Sequence, residues 1–134
     1  MPANITNFIR KLMLFGNGFT FLFIAGYVLY DKFNAAYLYG YTLNGPVDGL
    51  NEFRAVYIGF WIGLTILFWT AIKKFNIAVL GDLALLLVML QSLGRLLSFA
   101  LDGMPNRRFV FVFFLEFGTS LLGLIMRPRP TDGA

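Results

Sequence analysis

Four apolar blocks, at about 8–30, 51–73, 78–101 and 108–126, take up most of this chain of 134 residues. A helix rising 1.5 Å per residue needs about 20 mostly apolar residues to cross the hydrocarbon core of a bilayer, and each block reaches about that length. Lipid offers no hydrogen-bond partners, so a spanning segment must satisfy its own backbone, and blocks of this kind have to be helical. The expected fold is all-α: a polytopic membrane protein, a four-transmembrane-helix bundle, with residues 1–134 forming one integral membrane domain. Hydrophobic residues make up 58% of the chain and charged ones 13%, which is not the balance of a soluble domain. Almost nothing remains outside the helices, so any chemistry must come from side chains within or beside the bundle.

The chain has no Cys and no His. It therefore lacks the thiolate and imidazole ligands on which zinc, copper, haem and iron–sulfur sites depend, and we expect no metal and no cofactor. Arg10 and Lys11 ahead of an apolar run are a feature of secretory signals, but the run is long and lacks an Ala-x-Ala-like cleavage site, so a retained first helix is expected.

The basic residues set an orientation. Arg10, Lys11, Lys73, Lys74, Arg127 and Arg129 share one side if four helices alternate, against Lys32, Arg107 and Arg108 on the other. The positive-inside rule then puts both termini in the cytoplasm. These helix-end charges meet lipid headgroups, so the net charge of +4 calls for no nucleic-acid partner.

The first span is expected to begin after Thr6 or Asn7, with Asn17, between two glycines, in need of a partner for its amide. The connection at 31–50 alternates Tyr37, Tyr39 and Tyr41, which reads as an extended interfacial belt, followed by turn signals at Asn44-Gly45-Pro46 and Asp48-Gly49. Short links at Lys74-Phe75-Asn76 and Gly103-Met104-Pro105-Asn106 make consecutive spans antiparallel neighbours. Asp82, near the start of the third span, suits the positive end of a helix dipole. The tail from Pro128 to Ala134 is too short and polar to form a domain.

The candidate site is a set of polar residues inside the spans. An ion in hydrocarbon costs about 2.5–3.5 kcal/mol on the insertion scale, so such groups face a protein interior or a wet cavity and pair there. Gln91, Arg95, Ser98 and Asp102, at spacings of four, three and four, share one face of the third span. Arg95 lies about 10 Å inward from Asp102, and Glu116 lies about 12 Å inward from Arg107 and Arg108 on the fourth span. An Arg95 to Glu116 ion pair is thus available across the tight turn, and Arg54 has Asp102 or Glu52 within reach. Trp61, Tyr57, Phe99 and Phe113 have the depth to line a pocket beside them. Ala55, Gly59 and Gly63, four residues apart, form a small-residue stripe for close helix packing.

The run Asn51-Glu52-Phe53-Arg54-Ala55-Val56-Tyr57, then Leu93-Gly94-Arg95-Leu96-Leu97-Ser98, Asp102-Gly103 with Pro105, and Glu116 resembles a bacterial four-helix membrane family known as domain of unknown function 4345. The resemblance covers the second to fourth spans. The family pattern has paired glycines after the tyrosine, where this chain has Ile58-Gly59. It implies a fold and a charged signature and supplies no activity.

Three function classes follow. The reading placed first is an oligomeric scaffold or accessory protein, a homo-oligomer or the partner of another membrane protein, with membrane lipids around it. The alternative is binding or transport of a small molecule, lipid or ion through a polar pocket on the outer half, formed by Glu52, Arg54, Gln91, Arg95, Ser98, Asp102 and Glu116. An enzyme ranks last, because no nucleophile and base are placed together, and no catalytic residue is assigned.

Overall fold

The computed structural model describes residues 3–39, 51 and 53–128. Its helices are α1 (Ala3–Tyr30), α2 (Lys32–Leu38), α3 (Ala55–Lys73), α4 (Ala78–Asp102) and α5 (Arg107–Ile125). Among the described residues there is no strand. All but α2 are long and apolar enough to cross a membrane, and the chain is an all-α membrane protein with four candidate spans. α1 packs against α3 and α5, α3 against α4, and α4 against α5. The four therefore form a closed square in which consecutive spans are neighbours and α1 lies diagonal to α4.

Local chemistry sets several of the ends. Asn106 caps α5, its side chain accepting from Arg108 N at 3.1 Å and Phe109 N at 3.4 Å. α4 stops at Gly103, whose φ of +91° is costly for any residue with a Cβ, and Pro105 follows. α1 begins at Ala3, earlier than the expected start after Thr6 or Asn7, and runs unbroken through Gly16-Asn17-Gly18.

The largest departure from the sequence reading is α2. The stretch expected to be an extended tyrosine belt is a short helix after the first span, capped by Asp31, which accepts from Asn34 N at 3.1 Å and Asn34 Nδ2 at 2.6 Å. These bonds from Asn34 hold the Asp31 carboxyl below its ordinary range. The helical backbone separates the tyrosines that a period of two would have aligned: Tyr37 is exposed, whereas Tyr39 turns inward onto Tyr57 and Trp61 at ring distances of 5.0 and 6.0 Å. Tyr41, Asn44-Gly45-Pro46, Asp48-Gly49 and the tail beyond Pro128 lie outside the described residues.

α3 opens with a π-helical turn, Ala55–Phe60, before continuing as an α-helix over Trp61–Lys73. This changes the small-residue stripe. Ala55 and Gly59 both fall in the wider turn, so a spacing of four no longer keeps them in an α-helical row with Gly63. All three are exposed, and a Cβ on Gly59 or Gly63 would meet nothing within 4 Å. The stripe is not where the helices of this chain pack.

They pack elsewhere, through a different set of small residues. Along α1 the buried positions are Arg10, Leu14, Gly18, Phe21, Ala25 and Val28, and from Leu14 onward their spacing alternates between four and three, the mark of bundle packing. A Cβ at Gly18 would come within 2.9 Å of Phe68 Cβ, so α1 and α3 approach there as only glycine permits. Thr65 ties the same contact, donating to Gly18 O at 3.2 Å and to Trp61 O of its own helix at 2.9 Å. Gly123 on α5 is pressed against Leu85 of α4 in the same way, at 2.8 Å from the position of an added Cβ. Phe21, Trp61, Phe68, Leu85 and Val88 fill the centre between these contacts.

Candidate functional site

The deep charges meet across α4 and α5. Arg95 on α4 donates from Nε to Glu116 Oε2 at 2.8 Å and from Nη2 to Oε1 at 3.1 Å, a two-pronged grip on a carboxylate from α5. Gln91, one turn earlier on α4, adds a longer bond from Nε2 to Glu116 Oε1 at 3.4 Å. The pair is only partly sealed, with 22% of the Arg95 side chain and 15% of that of Glu116 exposed. Arg95 Nη1 has no hydrogen-bond partner among the described residues, and it is not among the buried atoms left without one, where Ser120 Oγ stands alone.

Beside the pair is a cavity of about 270 Å³ between α1 and α5. Arg95 and Glu116 form part of its wall, Asn17, Thr20 and Thr119 supply further polar groups, and Phe21, Ile24, Tyr39, Trp61 and Val112 are among its apolar lining. Asn17 donates from Nδ2 to Met13 O at 2.8 Å, within its own helix, and more weakly to Thr119 Oγ1 of α5 at 3.4 Å. The cavity reaches the outside of the bundle, because Leu12, Gly16, Thr20 and Leu115 on its rim are exposed. In a bilayer that surface faces lipid. Tyr39 closes the cavity from the side of α2, and burial pushes its phenol up to about 12.

The remaining candidates are dispersed. Ser98 donates to Asp102 Oδ2 at 2.9 Å at the exposed end of α4, and neither joins the deep pair. Arg54 meets no carboxylate in an ion pair among the described residues; it lines a separate cavity with Asp31 and Lys32 at the end of α1. Glu52 lies outside the described residues. Of the aromatic residues considered for the pocket, Trp61 lines the cavity, while Tyr57 stands next to it with rings 4.6 Å apart. Phe99 and Phe113 pack together at 5.6 Å around a different, apolar hollow.

A second charged cluster sits at the opposite end of the bundle, on residues that sequence reasoning treated as an orientation signal and a dipole partner. Arg10 is 1% exposed and donates from Nη1 to Gly123 O at 2.9 Å, and from Nη2 to Ala78 O at 2.9 Å and Asp82 Oδ1 at 2.7 Å. The other oxygen of Asp82 pairs with Arg127 Nε at 2.8 Å. One guanidinium thus ties α1 to α4 and α5, and the absence of a side chain at Gly81 gives it room: a Cβ there would lie 2.6 Å from Nη2. A signal was present, since Arg10 lies four residues before Leu14, one turn back along the buried face that Leu14, Gly18, Phe21 and Ala25 define. Among the described residues no group of acidic side chains is arranged to hold a metal ion.

The family model for domain of unknown function 4345 matches residues 9–126, from the start of the Arg10 cluster to the end of α5. The chain belongs to the DUF4345 family. The match takes in most of the first span, the other three spans, the Arg95–Glu116 pair and Arg10 with Asp82, and stops just short of Arg127. No curated protein matches the chain, and no solved structure does.

Proposed function

We propose that this DUF4345 protein binds a small amphipathic molecule, drawn from the surrounding lipid, in the cavity between α1 and α5, with Arg95 as the donor that recognises its polar group. The observation that carries this reading is Arg95, partly exposed and with Nη1 unpartnered among the described residues, in the wall of a cavity whose rim is exposed on the outside of the bundle. A molecule passing from lipid into the cavity gains little from burying its apolar part, because lipid tails are as apolar as the cavity wall. Selection then rests on the polar contact, and a hydrogen bond to a charged donor contributes about 1.5–3 kcal/mol. Glu116 balances the charge of Arg95, so the site suits a neutral acceptor such as a hydroxyl or carbonyl.

The test is binding of dodecanol to the protein in lipid nanodiscs, compared with Val112→Trp, which fills the cavity from α5. Saturable binding that Val112→Trp removes supports the reading; equal binding by both proteins overturns it.

A second reading, an oligomeric scaffold or accessory role, is favoured by the exposure of Ala55, Gly59 and Gly63, which leaves a small-residue surface free for another helix. Under either reading the excess of Lys and Arg at the end bearing the termini favours a cytoplasmic location for both, and the bacterial inner membrane is proposed from the family resemblance alone.

A further inference from the structure

Tyr39 forms a wall of the cavity beside Arg95 and of a neighbouring one. This second hollow, of about 350 Å³, adjoins the first along the α1 and α5 faces toward the start of α5, and the two share Ile24, Tyr39, Phe109 and Val112 in their walls. Phe23, Tyr27 and Leu38 complete the apolar lining of this outer part, and its one charged residue is Arg108. Arg108 is in the first turn of α5, at the level where the span leaves the hydrocarbon; its guanidinium lies 5.5 Å from the Phe109 ring centroid and makes no ion pair among the described residues. At 1.5 Å per residue, Arg108 and Glu116 are about 12 Å apart along the helix.

Resting on the proposed binding role, we infer that the ligand is a long-chain anionic amphiphile of the fatty-acid class bearing a second oxygen on its chain, lying along α5 with its carboxylate at Arg108 and that oxygen at Arg95. Each of the two adjoining hollows then meets the chemistry it fits. The carboxylate stays at the wet interface, where Arg108 offers a planar fork of donors suited to it. The chain runs over Phe109, Val112 and Ile24. The uncharged oxygen reaches the deep site, where a second anion would be repelled by Glu116 and only a neutral acceptor fits.

The probes are ω-hydroxydodecanoate and dodecanol, measured on the whole protein and on Arg108→Gln in nanodiscs of neutral lipid. Arg108 is exposed and is not part of the packed bundle, so the variant is expected to fold. The hydroxy acid should bind the wild type more tightly than the alcohol, and Arg108→Gln should weaken the acid about ten-fold, the loss of one charge-assisted contact, while leaving the alcohol unchanged. If Arg108→Gln leaves both probes unchanged, the anionic end is not at Arg108 and this inference falls while the cavity reading stands. If neither probe binds the wild type, both fall.

Discussion

Arg95 and Glu116 hold each other by both carboxylate oxygens, at 2.8 and 3.1 Å, and yet Nη1 of the guanidinium has no partner among the described residues. The pair comes from helices joined by a tight turn, which fixes the height at which the two chains meet. A closed structural pair has no need of a cavity on its open side. This one has a cavity there, reachable from the lipid-facing surface between α1 and α5.

Glu116→Gln should destabilise the protein by about 3 kcal/mol, the lower end of the range for breaking a buried pair, because the site is partly open. Arg95 would keep its charge and lose its counter-ion. Chemical unfolding in mild detergent measures this, and the double variant Arg95→Met with Glu116→Leu should recover much of the loss by removing both charges together. A single variant as stable as wild type would show that the pair does not hold α4 to α5.

Gly81→Ala should cost about 1–3 kcal/mol through overpacking, since the new methyl would sit 2.6 Å from an Arg10 guanidinium that three hydrogen bonds hold in place. Gly94→Ala, on the same helix with nothing within 4 Å of the added carbon, should be neutral or slightly stabilising. Thermal unfolding of the two variants side by side checks the contrast. Equal effects would mean that the Arg10 contact is not a constraint on packing.

The fold was legible where length and hydropathy decide it, and illegible where they do not. Four spans follow from four blocks, because a bilayer fixes the length of what crosses it. Which face of each span turns inward does not follow from hydropathy, since lipid and core are equally apolar; the exposed Leu97 and Leu101 and the buried Leu14 and Leu85 are the same residue type. Size carries that information instead, and Gly18, Gly81 and Gly123 are the close contacts that the more conspicuous Ala55, Gly59 and Gly63 are not. The π-turn over Ala55–Phe60 changes how that stripe is presented, because residue spacing predicts a shared face only on a regular helix. Arg95 and Glu116 could be placed at one depth from a count of residues, whereas Arg54 could not be kept from Asp102 without knowing how α2 sits against α3.

Tyr39 gives the fold a dependence on alkaline pH. Its phenol is pushed by burial from an ordinary value near 10 up to about 12, so the folded protein keeps the proton that the unfolded chain gives up. This contribution is complete below pH 10 and falls away as the pH rises from about 10 to 12. Tyr39→Phe, with no proton to lose, should flatten the decline, as followed by unfolding across that range. A decline identical in the variant would remove Tyr39 as its source.

Gly59→Leu tests the exposed stripe. A leucine there meets open space within the chain, so folding should be unaffected, while any association through that surface should weaken. Native mass spectrometry in mild detergent reads the outcome directly. Association in the wild type that is lost in the variant supports the scaffold reading, and a monomer in both contradicts it.

The most direct test of the central claim is photo-crosslinking with a diazirine-bearing long-chain alcohol in nanodiscs, with the sites of attachment mapped by mass spectrometry. We expect saturable labelling concentrated on Thr20, Val112, Leu115 and Thr119, competed by dodecanol and abolished by Val112→Trp. Non-saturable labelling spread over lipid-facing residues such as Leu97, Leu101 and Ile125, with no preference for the groove between α1 and α5, would contradict it.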